Sequence, residues 1–519
     1  MDWILVSAFA LPLSFTLAFS SLAFAGSIRE NPGLWWSFVG AAAALLAWSA
    51  VLLLAARGKG RTLTIEVVPR KQHYLQATAQ ALVLLYWGWH WGQVYESAIL
   101  ILAQLLFAYA FDILLSWSRR DDYTLGFAPF PVIFSVNLFL WFKDDWFYLQ
   151  LAMVAIGLTA KEMIRWTKDG RRTHIFNPSS FPLAVFSLAL IASGNTGMTW
   201  GKDIAVTQFF PPHMYLMLFL VGLPGQYFFG VTTMTMSAVV STYVFGLLYF
   251  IATGTYFFFD SYIPIAVFLG MHLLFTDPST APRTELGRII FGVAYGLSTV
   301  LLYTLLGRAG VPTFYDKLLQ VPILNLSTKA IDRAARSAWL RGFDPARWGR
   351  SLAPRQRNLA YMGVWAVVFA VMSAAQGVGD DHPGQWVPFW RHACQADRRY
   401  ACGYLATLEA TLCRAGSGWS CNEFAILQAE RQPDIGPGIM ASLRNGCENG
   451  FATACENQER MRNGVSTLTS APPMIEDYPI LLRGSKGPIA DRTPASLYAR
   501  ACAQGWPDTC SQIGPPGRR

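Results

Sequence analysis

Two segments one hundred residues apart carry the same run of prolines and polar groups. Residues 174–186 read HIFNPSSFPLAVF and LFTDPSTAPRTELG begins at Leu274, so both fit Asn/Asp-Pro-Ser-Ser/Thr-x-Pro, with Asn177 matched by Asp277. Proline removes a backbone donor and turns the preceding residue away from the helical region. Asn177 and Asp277 are therefore expected at helix starts, with Ser179 and Ser180, or Ser279 and Thr280, beside exposed N–H groups. Helix N-termini attract anionic or electron-rich ligands, which makes these six residues the candidate ligand-binding set. The alternative is that both motifs are ordinary helix caps at a membrane interface.

Other chemistry is sparser. His90 and His272 both lie in or near apolar runs, but two histidines on separate segments carry no ligand spacing. Asp112 in FAYAFDILLSW stands near hydrocarbon depth, where a carboxylate lines a pathway, finds a partner or snorkels; Asn137 is a milder case. The aromatic stretch LYWGWHWGQ at residues 85–93 reads as an interfacial belt. No phosphate-binding loop, dinucleotide fingerprint, cluster-ligating cysteine motif or nucleophile elbow occurs, so neither NADH oxidation by this chain alone nor a metal site is expected.

These groups must be positioned by membrane elements. Of 519 residues, 53% are hydrophobic and only 14% charged, the profile of a polytopic membrane protein. Twelve apolar runs are visible, near 3–25, 35–56, 74–92, 96–117, 129–142, 146–160, 180–195, 213–230, 233–252, 262–276, 289–307 and 359–377. Runs of about 18–25 residues can cross the bilayer as helices. The first ends in an Ala-x-Ala-like site, but nothing basic precedes it, so a span is expected rather than a cleaved leader.

The formal charge of +9 gathers in short loops around residues 57–71, 119–120 and 161–172, and in ten Lys/Arg between Arg308 and Arg357. By the positive-inside pattern those loops face the cytoplasm, and no nucleic-acid site is implied. Residues 308–358 also contain a helical pattern from Ser327, read as an interfacial amphipathic helix against anionic lipid. Twelve full crossings would return the C-terminus to the cytoplasm and put the ten-cation loop outside. One non-crossing run, 180–195 or 262–276, removes the conflict. The two motifs are then expected to enter from opposite faces, as in an inverted-topology repeat whose broken helices enclose a polar site.

All eight cysteines follow the last apolar run, as four Cys-x7-Cys pairs: Cys394 with Cys402, Cys413 with Cys421, Cys447 with Cys455, and Cys502 with Cys510. In three, a glycine stands three residues after the first cysteine, with Asp397 in that place in the other. Glycine there suits a left-handed helix C-cap, and the turn would bring each pair of sulfurs together. Zinc is the competing reading, although structural zinc sites favour gaps of two to four residues. Residues 385–515 resemble the cysteine-rich Sel-one-like, tetratricopeptide-related repeats of bacteria, in which such pairs are disulfides. The resemblance implies a periplasmic domain that binds protein partners.

TDPSTAPRTELGRIIFGVAYG, with HIFNPSSF, gives residues 65–330 a resemblance to the RnfD/NqrB family. Its members are membrane components of the Rnf electron-transport complex and of the sodium-translocating NADH:quinone reductase, and the likeness is to its UnbU-like branch. The resemblance implies an all-α, urea-transporter-like membrane fold of two inverted halves that holds flavin and passes electrons among partner subunits, coupled to sodium or proton movement. Relatives attach flavin mononucleotide to threonine in Ser/Thr-Gly-Ala-Thr; the nearest string here, Ser193 to Thr196, has Asn195 in place of alanine. Flavin mononucleotide or riboflavin is therefore expected noncovalently. Two rival functions use the same sequence: a small-solute transporter or channel without redox chemistry, and an accessory membrane scaffold of a biosynthetic system. The expected divisions are a transmembrane hairpin (1–64), the family-like core (65–307), a basic cytoplasmic segment (308–358), a last span (359–377) and the repeat domain (385–515), in a multi-pass protein of a bacterial inner membrane whose C-terminal domain is periplasmic.

Overall fold

The structure is a computed structural model describing residues 3–168, 170–347, 349–380, 382–431, 436–482 and 489–513. The outer ends of the first and last expected divisions, residues 1–2 and 514–515, lie outside those residues. The protein is mostly helical, and among the described residues only four short strands occur. Among the described residues five helices are long and apolar enough to cross a membrane: Pro32–Lys59, Ala98–Arg119, Thr232–Thr253, Glu285–Arg308 and Pro354–Ala374.

The chain divides into two compact units. One holds residues 1–209, 213–242 and 265–371; the other holds 210–212, 243–264 and 372–519. Residues 243–264 thus belong with the cysteine-rich unit, a division the sequence did not suggest.

In the first unit, α1 (Trp3–Leu22) and α2 (Pro32–Lys59) pack with α4 (Ala98–Arg119) through the Phe19, Phe38 and Phe107 rings. Asn31 caps α2 by accepting from the N–H groups of Gly33 and Leu34. Strand β1 (Thr64–Val67) leads to α3 (Lys71–His90), and β2 (Asp122–Leu125), after α4, pairs parallel with β1. Then come α5 (Pro129–Phe139), α6 (Phe147–Met163), the antiparallel hairpin β3 (Arg165–Lys168) and β4 (Arg171–His174), α7 (Ser180–Ala192) and α8 (Gly201–Thr207). The rest comprises α9 (Met214–Phe229), the start of α10 (Thr232–Thr253), α11 (Ile265–Leu273), α12 (Glu285–Arg308), α13 (Gln320–Ala335) and most of α14 (Pro354–Ala374).

Two of the core helices are far too short to cross hydrocarbon alone. At 1.5 Å per residue, the 11 residues of α5 and the 9 of α11 span only about 17 Å and 14 Å. Irregular chain continues each of them: residues 140–146 after α5 and 274–284 after α11. Such backbone is tolerated at membrane depth only where protein groups satisfy it. Here they do. Phe142 N–H donates to Gln150 Oε1, and a buried amide network joins Gln104, Asn137 and Gln150.

The ends of the segments sort to two poles. At one pole Arg61 meets Asp121 (2.7 Å), Arg120 and Arg165 each meet Glu162 (2.6 Å), Arg288 donates to the Gly230 carbonyl, and Asn358 donates to the Gln226 carbonyl. The basic segments around residues 57–71, 119–120 and 161–172 share this side as predicted, but the expected basic segment 308–358 does not lie there whole: the helix Glu285–Arg308 runs from this pole to the other, and Phe314 packs against Gly201 at that far pole. At the other pole Trp91 stacks on Trp141, Trp200 N–H donates to the Trp141 carbonyl, and Trp87 donates to Thr207. Trp89 in the same stretch is exposed, as the belt reading expects.

Residues 320–335 differ from their reading as an interfacial helix. Helix α13 starts at Gln320, with Ser327 in its middle rather than at its cap. Its polar face is buried: Asn325, Thr328 and Asp332 point into the unit and bond to the two proline motifs. The hydrophobic periodicity was right about a helix and wrong about which side meets water. The exposed wedge lies just beyond, at Trp339 and Phe343.

In the second unit, helices α15 (Val387–Gln395), α16 (Ala401–Arg414), α17 (Gly418–Arg431), α18 (Gly436–Glu448), α19 (Ala452–Arg462) and α20 (Pro494–Ala503) carry seven of the eight cysteines, and Cys510 follows in a short turn of Thr509–Gln512. All four expected pairs are disulfides. Cys394 bonds to Cys402 and Cys413 to Cys421, each with a Cα–Cα separation of 4.6 Å; Cys447 bonds to Cys455 at 4.7 Å and Cys502 to Cys510 at 4.8 Å. The zinc reading of these pairs is thereby replaced. Cys402 and Cys421 are buried between the helices their bridges join. Gly416, Gly450 and Gly505 have φ of 104°, 87° and 78°, and Asp397 takes φ 49° in the equivalent place. The same pair of C-cap bonds recurs at each, for example Gly450 N–H to the Cys447 carbonyl and Phe451 N–H to that of Gly446. Arg391 from α15 lies between Glu409 of α16 (3.4 Å) and Glu423 of α17 (3.2 Å), and over the Trp419 ring.

Candidate functional site

The proline motifs meet. His174 Nε2 lies 3.1 Å from Asp277 Oδ2, and Asn177 Nδ2 donates to the Leu274 carbonyl at 2.9 Å. Helix α13 closes the junction from a third side: Asn325 Oδ1 accepts from Asn177 N–H (3.1 Å) and Thr328 donates to the Thr280 carbonyl (2.9 Å). Asp332 accepts from the N–H groups of Arg283 and Thr284 and from the Thr284 hydroxyl, and lies 3.9 Å from Lys168. Gly157 on α6 gives the Pro178 carbonyl room; a Cβ there would collide with it.

This arrangement corrects the expectation that the motifs enter from opposite faces. Asn177 precedes its short helix, α7, whereas Asp277 follows its short helix, α11, in the irregular segment leading to α12. Both therefore lie at the basic pole. No non-crossing run is needed to place them: the chain returns from the far pole through residues 313–335, where Phe314 sits against Gly201 at one end and Asp332 binds Arg283 at the other.

Beside the junction opens a cavity of about 530 Å³. Asn177, Ser179, Asp277 and Ser279 line it; Ser180 and Thr280 do not. Their polar atoms are mostly spent on one another. Asn177 Oδ1 accepts from the N–H groups of Ser179 and Ser180 and from the Ser179 hydroxyl, Ser279 N–H donates to Asp277 Oδ1, and the Thr280 hydroxyl donates to Asp277. The helix-end N–H groups expected to face a ligand are thus capped from within.

The cavity's chemistry comes instead from side chains the sequence had assigned only to loops. Arg70, Arg120, Lys161, Arg165 and Arg172 line it, against Asp112, Glu162 and Asp277. Glu162, almost fully buried, is committed to Arg120 and Arg165, and Asp277 to His174. Among the described residues Arg70, Lys161 and Arg172 have no carboxylate partner within 4.0 Å. Asp112 accepts from Tyr123 at 3.2 Å. His73 lies in the same wall, close enough to Lys161 and Arg70 to feel both charges.

Four other sequence candidates fall elsewhere. Thr196 lies at the far pole, in the turn whose Met198 carbonyl accepts from Lys143 N–H. His90 is exposed against Tyr86, whereas His272 is buried between α9 and α11 with Nδ1 2.8 Å from the Phe268 carbonyl. Asn137 is an internal tie. Among the described residues no cluster of three or more His, Cys, Asp or Glu could hold a metal ion. No protein-family description, curated protein or solved structure matches the chain.

Proposed function

We propose that the chain is a multi-pass membrane subunit of a flavin-dependent electron-transport system, with flavin mononucleotide or riboflavin held noncovalently in the cavity beside the motif junction. The observation that carries this reading is the convergence of both proline motifs and five cationic side chains on one cavity of about 530 Å³, a size in the range of cofactor sites. The choice of flavin rests on the family resemblance of residues 65–330. The lining fits such a molecule at its two ends: the cations suit a phosphate, and Pro131, Val132 and Phe229 offer an apolar wall. Bound flavin supplies the electron chemistry. The chain's own part is to hold and orient it and to limit its contact with water.

Helix packing supports two inverted halves, α3–α7 and α9–α13. Helix α3 packs on α5 as α9 does on α11, α6 on α7 as α12 does on α13, and the halves touch through α3 with α9 and α7 with α13. The basic pole faces the cytoplasm of a bacterial inner membrane, where Trp339 and Phe343, among arginines, rest on anionic lipid. The disulfide unit belongs in the oxidising periplasm, where its Sel-one-like helices recruit a protein partner. Electron-transport subunits would dock on the membrane core, with sodium or proton movement coupled as in the family.

A second reading, a small-solute carrier without redox chemistry, is favoured by the polar lining, in which, among the described residues, Tyr123 and Phe229 are the only six-membered aromatic rings. A membrane scaffold recruiting periplasmic partners is the third. Absorption of the detergent-purified protein between about 350 and 500 nm separates them. A flavin band supports the first reading; a colourless protein that moves solute into liposomes replaces it with the second.

A further inference from the structure

We infer that the cavity is a phosphomonoester site, in which Arg70, Lys161 and Arg172 grip the phosphate of an organic ligand whose body lies along Pro131, Val132 and Phe229. This deepens the proposed function and rests on the cavity being its ligand site.

Five Lys and Arg side chains and three carboxylates line the cavity, two more cations than carboxylates, which suits a phosphomonoester near its dianionic form. The excess is localised. Glu162 holds Arg120 and Arg165 at 2.6 Å each, so the cations without a carboxylate partner are Arg70, Lys161 and Arg172. They come from three separate segments: the start of α3, the end of α6 and the β3–β4 hairpin. Guanidinium groups bind tetrahedral oxyanions with paired donors and lysine adds a point charge, an arrangement suited to phosphate.

An anion at a helix start would need free N–H groups, and Asn177 and Asp277 already occupy those of Ser179, Ser180 and Ser279. Selection therefore falls to side chains. A bare phosphate would leave most of about 530 Å³ unfilled, so the ligand carries an organic body.

The test titrates delipidated, detergent-solubilised full-length protein with flavin mononucleotide, riboflavin and inorganic phosphate, following flavin fluorescence and calorimetric heat. Flavin mononucleotide should bind at least about 10-fold more tightly than riboflavin, inorganic phosphate should compete, and Lys161→Gln or Arg172→Gln should each weaken binding about 10-fold. Lys59→Gln, at an exposed position away from the cavity, should change nothing. If phosphate and a lipid phosphomonoester, phosphatidic acid, bind through these residues but neither flavin does, the phosphate site stands and the flavin reading falls. Equal binding of the two flavins, or binding indifferent to Lys161 and Arg172, overturns the inference, as does no binding of any of the four.

Discussion

His174 Nε2 and Asp277 Oδ2 stand 3.1 Å apart although 103 residues of chain separate them, and that contact joins two segments the sequence presents as equivalent. They are not equivalent in structure. Asn177 caps the start of α7 and donates to the Leu274 carbonyl, whereas Asp277 follows α11, meets His174 and accepts from Ser279 N–H.

The two positions should therefore resist exchange. Asn177→Asp keeps the capping oxygen but sets a carboxylate against the Leu274 carbonyl, at a cost of about 1–3 kcal/mol. Asp277→Asn keeps the acceptor for Ser279 and should be milder. Thermal unfolding in detergent followed by size-exclusion chromatography reads the difference; equal losses would show that the two caps are interchangeable.

Asp332 should be among the most sensitive polar positions in the membrane unit. It serves two backbone N–H groups and the Thr284 hydroxyl, with buried Lys168 alongside. Asp332→Ala takes this acceptor from the two backbone N–H groups and the Thr284 hydroxyl and the carboxylate from beside Lys168, which keeps the Ala281 carbonyl; it should cost about 3–5 kcal/mol, enough to abolish accumulation of folded protein, while Asp332→Asn keeps part of the network. Normal expression of the alanine variant would refute the closing role of α13.

The disulfide-bonded unit should resist thiol reagents until reduced. Intact-mass analysis after maleimide treatment should show no added label in the oxidised protein and eight after reduction, since each cysteine is paired among the described residues. Replacing Cys447 and Cys455 together by serine should destabilise the unit by roughly 2–3 kcal/mol.

The same unit should lose stability as pH rises. Burial pushes the Glu409 carboxyl up to about 8, opposed by Arg391 and assisted by Glu423. Its folded value exceeds its unfolded one, so the unfolded chain releases this proton first. The contribution is full below about 4.5 and declines as pH rises to about 8, by about 1.4 kcal/mol per unit at most. Glu409→Gln should flatten unfolding profiles across that window, with Arg391 keeping Glu423 as its partner. An unchanged slope would show that another group sets it.

The parts legible in sequence are those encoded locally. Apolar run length locates the long helices, charge sorts the loops before residue 175 to one pole but not the stretch from Arg308 to Lys317, and the Cys-x-x-Gly turn anticipates left-handed backbone even where Asp397 replaces glycine. Long-range pairings were not legible. Asn325 reaches Asn177 across 148 residues, and an amphipathic pattern gives no sign that its polar face will be buried. The motifs' shared spelling misled for the same reason: local proline chemistry fixes a turn, not which end of a helix the turn occupies. The cavity's cations were each visible as loop charges, but only the fold brings Arg70, Lys161 and Arg172 to one wall.

The most direct measurement is side-specific cysteine labelling of the two motifs. The native cysteines are disulfide-bonded, so Ser179→Cys and Ser279→Cys can be probed with a membrane-impermeant maleimide, with Lys59→Cys marking the basic pole. Both motif positions should label from the face that labels position 59, and flavin mononucleotide should protect both. Labelling of position 279 from the opposite face would contradict a single cavity shared by the two motifs.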